Sequence, residues 1–119
     1  MTRSEDANEA SSFSWNVTGG SSQLPDSAQE TAGFQLFKVQ QGKEPDDWKP
    51  MATIGPGVQE IRVREARRAF RVFYVAKFEE AIYVLHVRQK RSQKTAQADL
   101  YIGRSRFADV LKWRREEGL

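Results

Sequence analysis

At 119 residues with no cysteine and a single histidine, the chain can bury about two-thirds of its unfolded surface in one core. The same composition excludes a disulfide framework, a thiolate zinc site, a cysteine nucleophile and a histidine metal cluster. The net charge of +3 hides an asymmetry, since residues 1–50 hold four Lys/Arg against eight Asp/Glu and residues 51–119 hold fifteen against eight.

The first twelve residues are polar and rich in Ser, Glu, Asp and Asn. They read as a disordered tail, with no apolar stretch that would make a signal peptide, and the folded domain is expected over 13–117. Phe13, Trp15 and Val17 alternate with polar residues up to Gly19-Gly20, the pattern of a short strand that adds to a sheet. Ser27 and Glu30 fit a capping box. Ala28, Ala32, Leu36 and Val39 then recur at helical spacing, which predicts a helix over 27–41 stopped by Gly42. The segment 44–50, with two prolines, reads as a turn in which Trp48 anchors helix to sheet rather than stacking on a base. Gly55-Pro56-Gly57 reads as a turn feeding a strand, not as a phosphate cradle, because no helix follows it.

Three strands rich in Val, Ile, Phe and Tyr come next, at 58–64, 70–78 and 81–89. Their connections are too short for parallel crossovers, so they form an antiparallel meander. In the first, Ile61 and Val63 share a buried face and Glu60, Arg62 and Arg64 the open one. The other two are apolar on both faces and belong in the middle of a sheet. Thr95 is placed to cap a last helix over 96–116, whose stripe is Ala96, Leu100, Phe107, Val110 and Leu111. The expected fold is α+β: a small antiparallel sheet, made of the three-strand meander and the N-terminal strand, with helices packed on it.

Meander topology gathers charge. The end of the first strand, the start of the second and the end of the third share one edge, which brings together Arg62, Arg64, Arg67, Arg68, Arg71, Arg88, Lys90, Arg91 and Lys94. Such a cluster suits a polyphosphate. No P-loop, dinucleotide fingerprint or serine elbow is present, so no cofactor is expected. The carboxylates of 51–119 are dispersed, which argues against a two-metal nuclease, and no metal is expected. An enzyme built from these groups works with cations and, at most, His86, whose intrinsic pKa suits acid–base chemistry. A lone histidine in an apolar strand also fits a packed, hydrogen-bonded role.

Gly55-Pro56-Gly57-Val58 with Glu60-Ile61-Arg62, Arg71 with Tyr74, and Val84-Leu85-His86 with Gln89-Lys90 and Gln93-Lys94-Thr95 resemble the small RelE-superfamily toxins of toxin–antitoxin modules. The phage-derived, HigB-type branch is the most similar. The resemblance covers residue 27 to the C-terminal helix. Arg88 stands where that family usually has an aromatic residue, Arg91 where it has lysine, and the first helical segment is shorter than usual. The resemblance implies a RelE-like fold, a helix-turn-helix antitoxin as partner, and a cytoplasmic toxin that cuts mRNA on the ribosome without metal. It also leaves open a ParE-like toxin that poisons gyrase without cleavage, and a degenerate relative that only binds RNA or antitoxin. Arg62, Arg71, Lys90 and His86 are then the catalytic candidates. Arg64, Arg67, Arg68, Arg88, Arg91 and Lys94 are the RNA-binding ones.

Overall fold

The computed structural model describes residues 26–65, 67–90 and 95–119. In chain order the elements are α1 (Asp26–Gln40), β1 (Trp48–Pro50), β2 (Val58–Glu65), β3 (Arg68–Val75), β4 (Tyr83–Gln89) and α2 (Gln97–Glu116). The four strands form one antiparallel sheet in the order β1-β2-β3-β4. This is the expected α+β meander, but the described fourth strand is Trp48–Pro50 rather than an N-terminal one. The proposed tail and the strand at 13–17 lie outside the described residues. The turn expected at 44–50 gives way to an edge strand because Trp48, Lys49 and Pro50 pair with Ile61, Glu60 and Gln59. A proline is tolerated there since an edge strand leaves one side of its backbone unpaired.

Each face of the sheet is covered by one helix, and each makes its own core. On the first face, Ala28, Ala32 and Leu36 of α1 press on Ile61, Val63, Phe70, Val72, Tyr74 and Val84. Those helix positions are the spaced apolar residues of the sequence pattern. Truncating Leu36 to alanine would cost about 2–5 kcal/mol, given its 1% exposure. On the second face, Phe107 and Val110 of α2 meet Val58, Phe73, Val75, Tyr83 and Leu85, with Met51 and Ile54 closing the side. Gly55 belongs to this contact: a Cβ there would lie 2.4 Å from the Phe107 ring, so the approach of α2 requires glycine.

The helix ends differ in part from expectation. Gly42 at φ 82° ends α1, with its N–H on Val39 O and that of Lys43 on Lys38 O, both at 2.9 Å. This paired arrangement satisfies carbonyls that the helix leaves open. Ser27 lies inside the first turn of α1, so it is not the cap of a capping box. Thr95 does not cap α2 either. The cap position is Ala96, extended and without a side-chain hydrogen bond. What secures this end is Asp99, the acidic residue of the first turn, whose carboxylate reaches across to β4.

The β3–β4 pairing carries a bulge. Phe73 pairs with His86 and Tyr74 with Val84, and the register shifts between them, which leaves Leu85 as the extra residue. The expected strands at 70–78 and 81–89 also shorten at their shared end. Tyr83 Oη donates to Glu80 Oε2 at 2.7 Å, Arg114 Nε donates to the same oxygen at 2.5 Å, and the Arg114 guanidinium stacks 3.8 Å from the Phe78 ring centroid. These contacts tie the connection to the last turn of α2 rather than to a strand. They also hold the Glu80 carboxyl down at about 2, chiefly through the Arg114 hydrogen bond.

Candidate functional site

Register turns the basic edge into an ordered array. Arg62 on β2 pairs with Arg71 on β3, and Arg71 pairs with Arg88 on β4, so three arginines stand in one cross-strand row. One rung outward, Arg64 pairs with Ala69, and Lys90 N donates to Ala69 O at 2.7 Å. One rung inward, Glu60 pairs with Phe73 and Phe73 with His86. Side chains two residues apart share a face, so all of these project on the α2 side of the sheet. The apolar part of that face packs under α2, whose first turn reaches His86 and Arg88 through Asp99.

Arg62, Val63, Arg64, Ala69, Arg71 and Lys90 line a cavity of about 240 Å³. Ala69 supplies the depression, as the small side chain between two long cationic ones. Four cations thus face one hollow. The Lys90 ammonium is pushed below the ordinary lysine value, first by desolvation and then by the charges of Arg71, Arg62, Arg64 and Arg88. Like charges opposite one another destabilise a sheet, so the array needs counter-charges.

Three carboxylates, Glu60, Asp99 and Asp47, supply them, and none stands among the candidates drawn from sequence. Glu60 is fully buried. Its Oε1 accepts from Arg71 Nη1 at 2.9 Å, with Arg62 Nε at 3.7 Å and Lys49 Nζ at 3.9 Å. Asp99 reaches Arg88 Nε at 3.5 Å and His86 Nε2 at 2.7 Å. Arg62 also faces Asp47 at 3.6 Å, and its backbone N–H is held by Asp47 O at 2.8 Å. Even so, Nε of Arg62, Arg71 and Arg88 is buried without a hydrogen bond among the described residues. Unused donors beside a cationic hollow are what an anion site looks like before its anion arrives.

His86 is mostly covered, with its ring centroid 5.9 Å from that of Phe73. Desolvation dominates and lowers its pKa; Asp99 opposes this, while Arg106 and Arg88 add to it. A neutral imidazole must then carry its proton on Nε2 to donate to Asp99, leaving Nδ1 as the acceptor. Tyr74 belongs to the α1 face, where burial pushes its hydroxyl up to about 12 and Gln59 Oε1 accepts from it at 2.5 Å.

The candidates therefore separate. Arg62, Arg64, Arg71 and Lys90 converge on the cavity. Arg88 stands in the same row but is paired with Asp99, and His86 lies one rung away on the same carboxylate. Arg67 is exposed at the β2–β3 turn. Arg68 leans on Glu65 at 3.5 Å and over the Phe70 ring, outside the cavity lining. Arg91 and Lys94 lie outside the described residues. Alternation put Glu60 on the open face; it is instead covered by the arginines and Lys49. Its place beside Arg62 was the available signal, whereas nothing local links Asp99 to β4.

A family model described as phage derived protein Gp49-like (DUF891) matches residues 22–108. No curated protein and no solved structure matches the chain.

Proposed function

We propose, for a chain that belongs to the Gp49-like family of phage-derived proteins, a RelE-like and toxin-like family, that it is the toxin of a type II toxin–antitoxin module of the HigB-like branch and inhibits translation by cleaving mRNA on the ribosome. The observation that carries this reading is the cavity walled by Arg62, Arg64, Arg71 and Lys90, beside buried arginine donors that have no hydrogen-bond partner among the described residues.

Such a site suits RNA because the nucleophile is the substrate's own 2′-hydroxyl. The protein has to align that oxygen with the phosphorus, accept its proton, protonate the leaving 5′-oxygen and stabilise the added negative charge. Arg71 and Arg62 grip the non-bridging oxygens of the scissile phosphate. Arginine suits this because its fixed fork matches two oxygens at once. Lys90, with its lowered pKa, is the group suited to carry a proton. Arg64, Arg67, Arg68, Arg88, Arg91 and Lys94 contact the message or ribosomal backbone. The ribosome positions the message, so the isolated protein is a poor nuclease. The helix-turn-helix antitoxin meets this face with acidic groups, and that encounter weakens with salt.

The test is inducible expression with primer extension on a reporter mRNA. New 5′ ends that require translation support the reading, and their loss in Arg62→Gln assigns the site. Supercoiling defects without cleavage would select a gyrase target and refute it.

A further inference from the structure

Glu60 is the one carboxylate among the described residues with no exposed surface. Burying an ion pair costs more than it returns unless the geometry is good and the remaining lone pairs are satisfied; apolar replacements are often neutral or stabilising. Here only half of that condition holds. Oε1 takes the Arg71 hydrogen bond at 2.9 Å and has two further cations within 3.9 Å, while Oε2 is buried without a hydrogen-bond partner among the described residues. Stability alone therefore gives no reason for a carboxylate at this position.

Its placement gives one. Glu60 sits one rung inside the arginine row, and it does not line the cavity. It holds Arg71 by one terminal nitrogen and leaves the guanidinium's Nε without a hydrogen bond among the described residues. Arg64, by contrast, is exposed and makes no ion pair among the described residues. An arginine ordered before its ligand arrives loses less freedom on binding and presents its charge without reorganisation.

Building on the reading of the cavity as a phosphate site, we infer that Glu60 is its positioning residue: it fixes Arg71, and with it Arg62, in the geometry that stabilises the reacting phosphate, and never touches the RNA.

The consequence is a separation of affinity from rate. Glu60 carries a negative charge beside an anion site, so it opposes ground-state binding of RNA while it favours the reaction. In Glu60→Gln, binding of a single-stranded oligoribonucleotide to the isolated protein should be equal or tighter. Its log–log salt slope should steepen by about 0.7, the equivalent of one more effective cation on a single strand. Single-turnover cleavage on programmed ribosomes should fall on the order of 10²-fold, as expected for a misplaced catalytic group. A merely structural Glu60 gives another result: a lower melting temperature with affinity and rate per folded molecule both unchanged. That result overturns the inference.

A second measurement removes dependence on both folding of the variant and the cleavage assay. In NMR spectra of the wild-type protein, the Nε–Hε group of Arg71 should be rigid and slow to exchange, and that of Arg64 averaged. Arg71 as mobile as Arg64 overturns the positioning role, whatever the variant does. If the wild-type protein cleaves nothing, the nuclease reading falls, and the inference is decided by whether Arg71 is loosened in Glu60→Gln or not.

Discussion

Replacing Arg71 by glutamine probes the site and the fold at once. From sequence Arg71 is not expected to anchor the core, so its removal should leave the protein folded. In the structure it is 8% exposed and donates at 2.9 Å to the buried Glu60. Removing one partner of a buried pair costs about 3–5 kcal/mol, because the other charge stays dry and uncompensated. Arg62 and Lys49 remain within 3.9 Å of that carboxylate, which puts the loss near the lower end, about 3 kcal/mol. A chain of this length shifts its melting temperature by about 4 °C per kcal/mol, so Arg71→Gln should melt about 12 °C below wild type. Arg62 is 35% exposed, with side-chain ion pairs no closer than 3.6 Å. Arg62→Gln should therefore lose under about 1 kcal/mol. Both variants should lose about 10²–10³-fold in single-turnover cleavage on ribosomes. Circular dichroism melts separate the two effects. An Arg71→Gln melt within about 2 °C of wild type would refute the buried pair, and full cleavage by Arg62→Gln would refute its grip on phosphate.

Gly55→Ala should cost about 1–3 kcal/mol through overpacking against Phe107, and a Phe107→Leu second change should return part of it; equal melting of wild type and Gly55→Ala would contradict the close approach of α2. His86→Gln should lose at most about 1–3 kcal/mol, from the unsatisfied Asp99, and little cleavage. Because the folded pKa of His86 lies below its unfolded value, the folded state binds fewer protons, so its contribution is present above the unfolded pKa of about 6.5 and is lost as pH falls from there through the lower folded pKa. Urea titrations between pH 5 and 8 should show this slope in wild type and its loss in His86→Gln. Lys90→Gln should leave the melting temperature unchanged while lowering cleavage and flattening its pH profile on the alkaline side; an unchanged profile would remove Lys90 as proton carrier.

The meander was legible because its signals are local: β-branched and aromatic runs, short connections, and glycines at 42, 55 and 57. The helices followed from the spacing of Ala28, Ala32 and Leu36, and of Phe107 and Val110. Trp48–Pro50 was hidden because an edge strand of three residues has no alternation to detect, and its proline argues for a turn. The gathering of Arg62, Arg71 and Arg88 followed from topology, but their alignment in one row needed the register. The pairing of particular cations with particular carboxylates was not legible at all. It depends on Glu60 and Asp99, two carboxylates that lie on different elements and meet the array only in three dimensions. Local pattern also misjudged Glu60, since a charge at an alternating position looks solvated until the cations that cover it are placed.

The extra residue in β4 decides which side of the sheet receives the chemistry. In an unbulged strand, His86, Arg88 and Lys90 would share the parity of Ile82 and Val84, which pack in the core beneath α1. With Leu85 inserted in the pairing, the parity switches, so that Val87 returns to the α1 core while the three polar side chains join Arg62 and Arg71. Straightening β4 so that Leu85 takes a regular place in the pairing would leave composition, net charge and nearly every contact of β2 unaltered. It would nevertheless drive two cations and an imidazole toward an apolar layer and empty the cavity of Lys90. One position without catalytic chemistry of its own thus sets the address of the site, and it does so through the bulge it forms against β3.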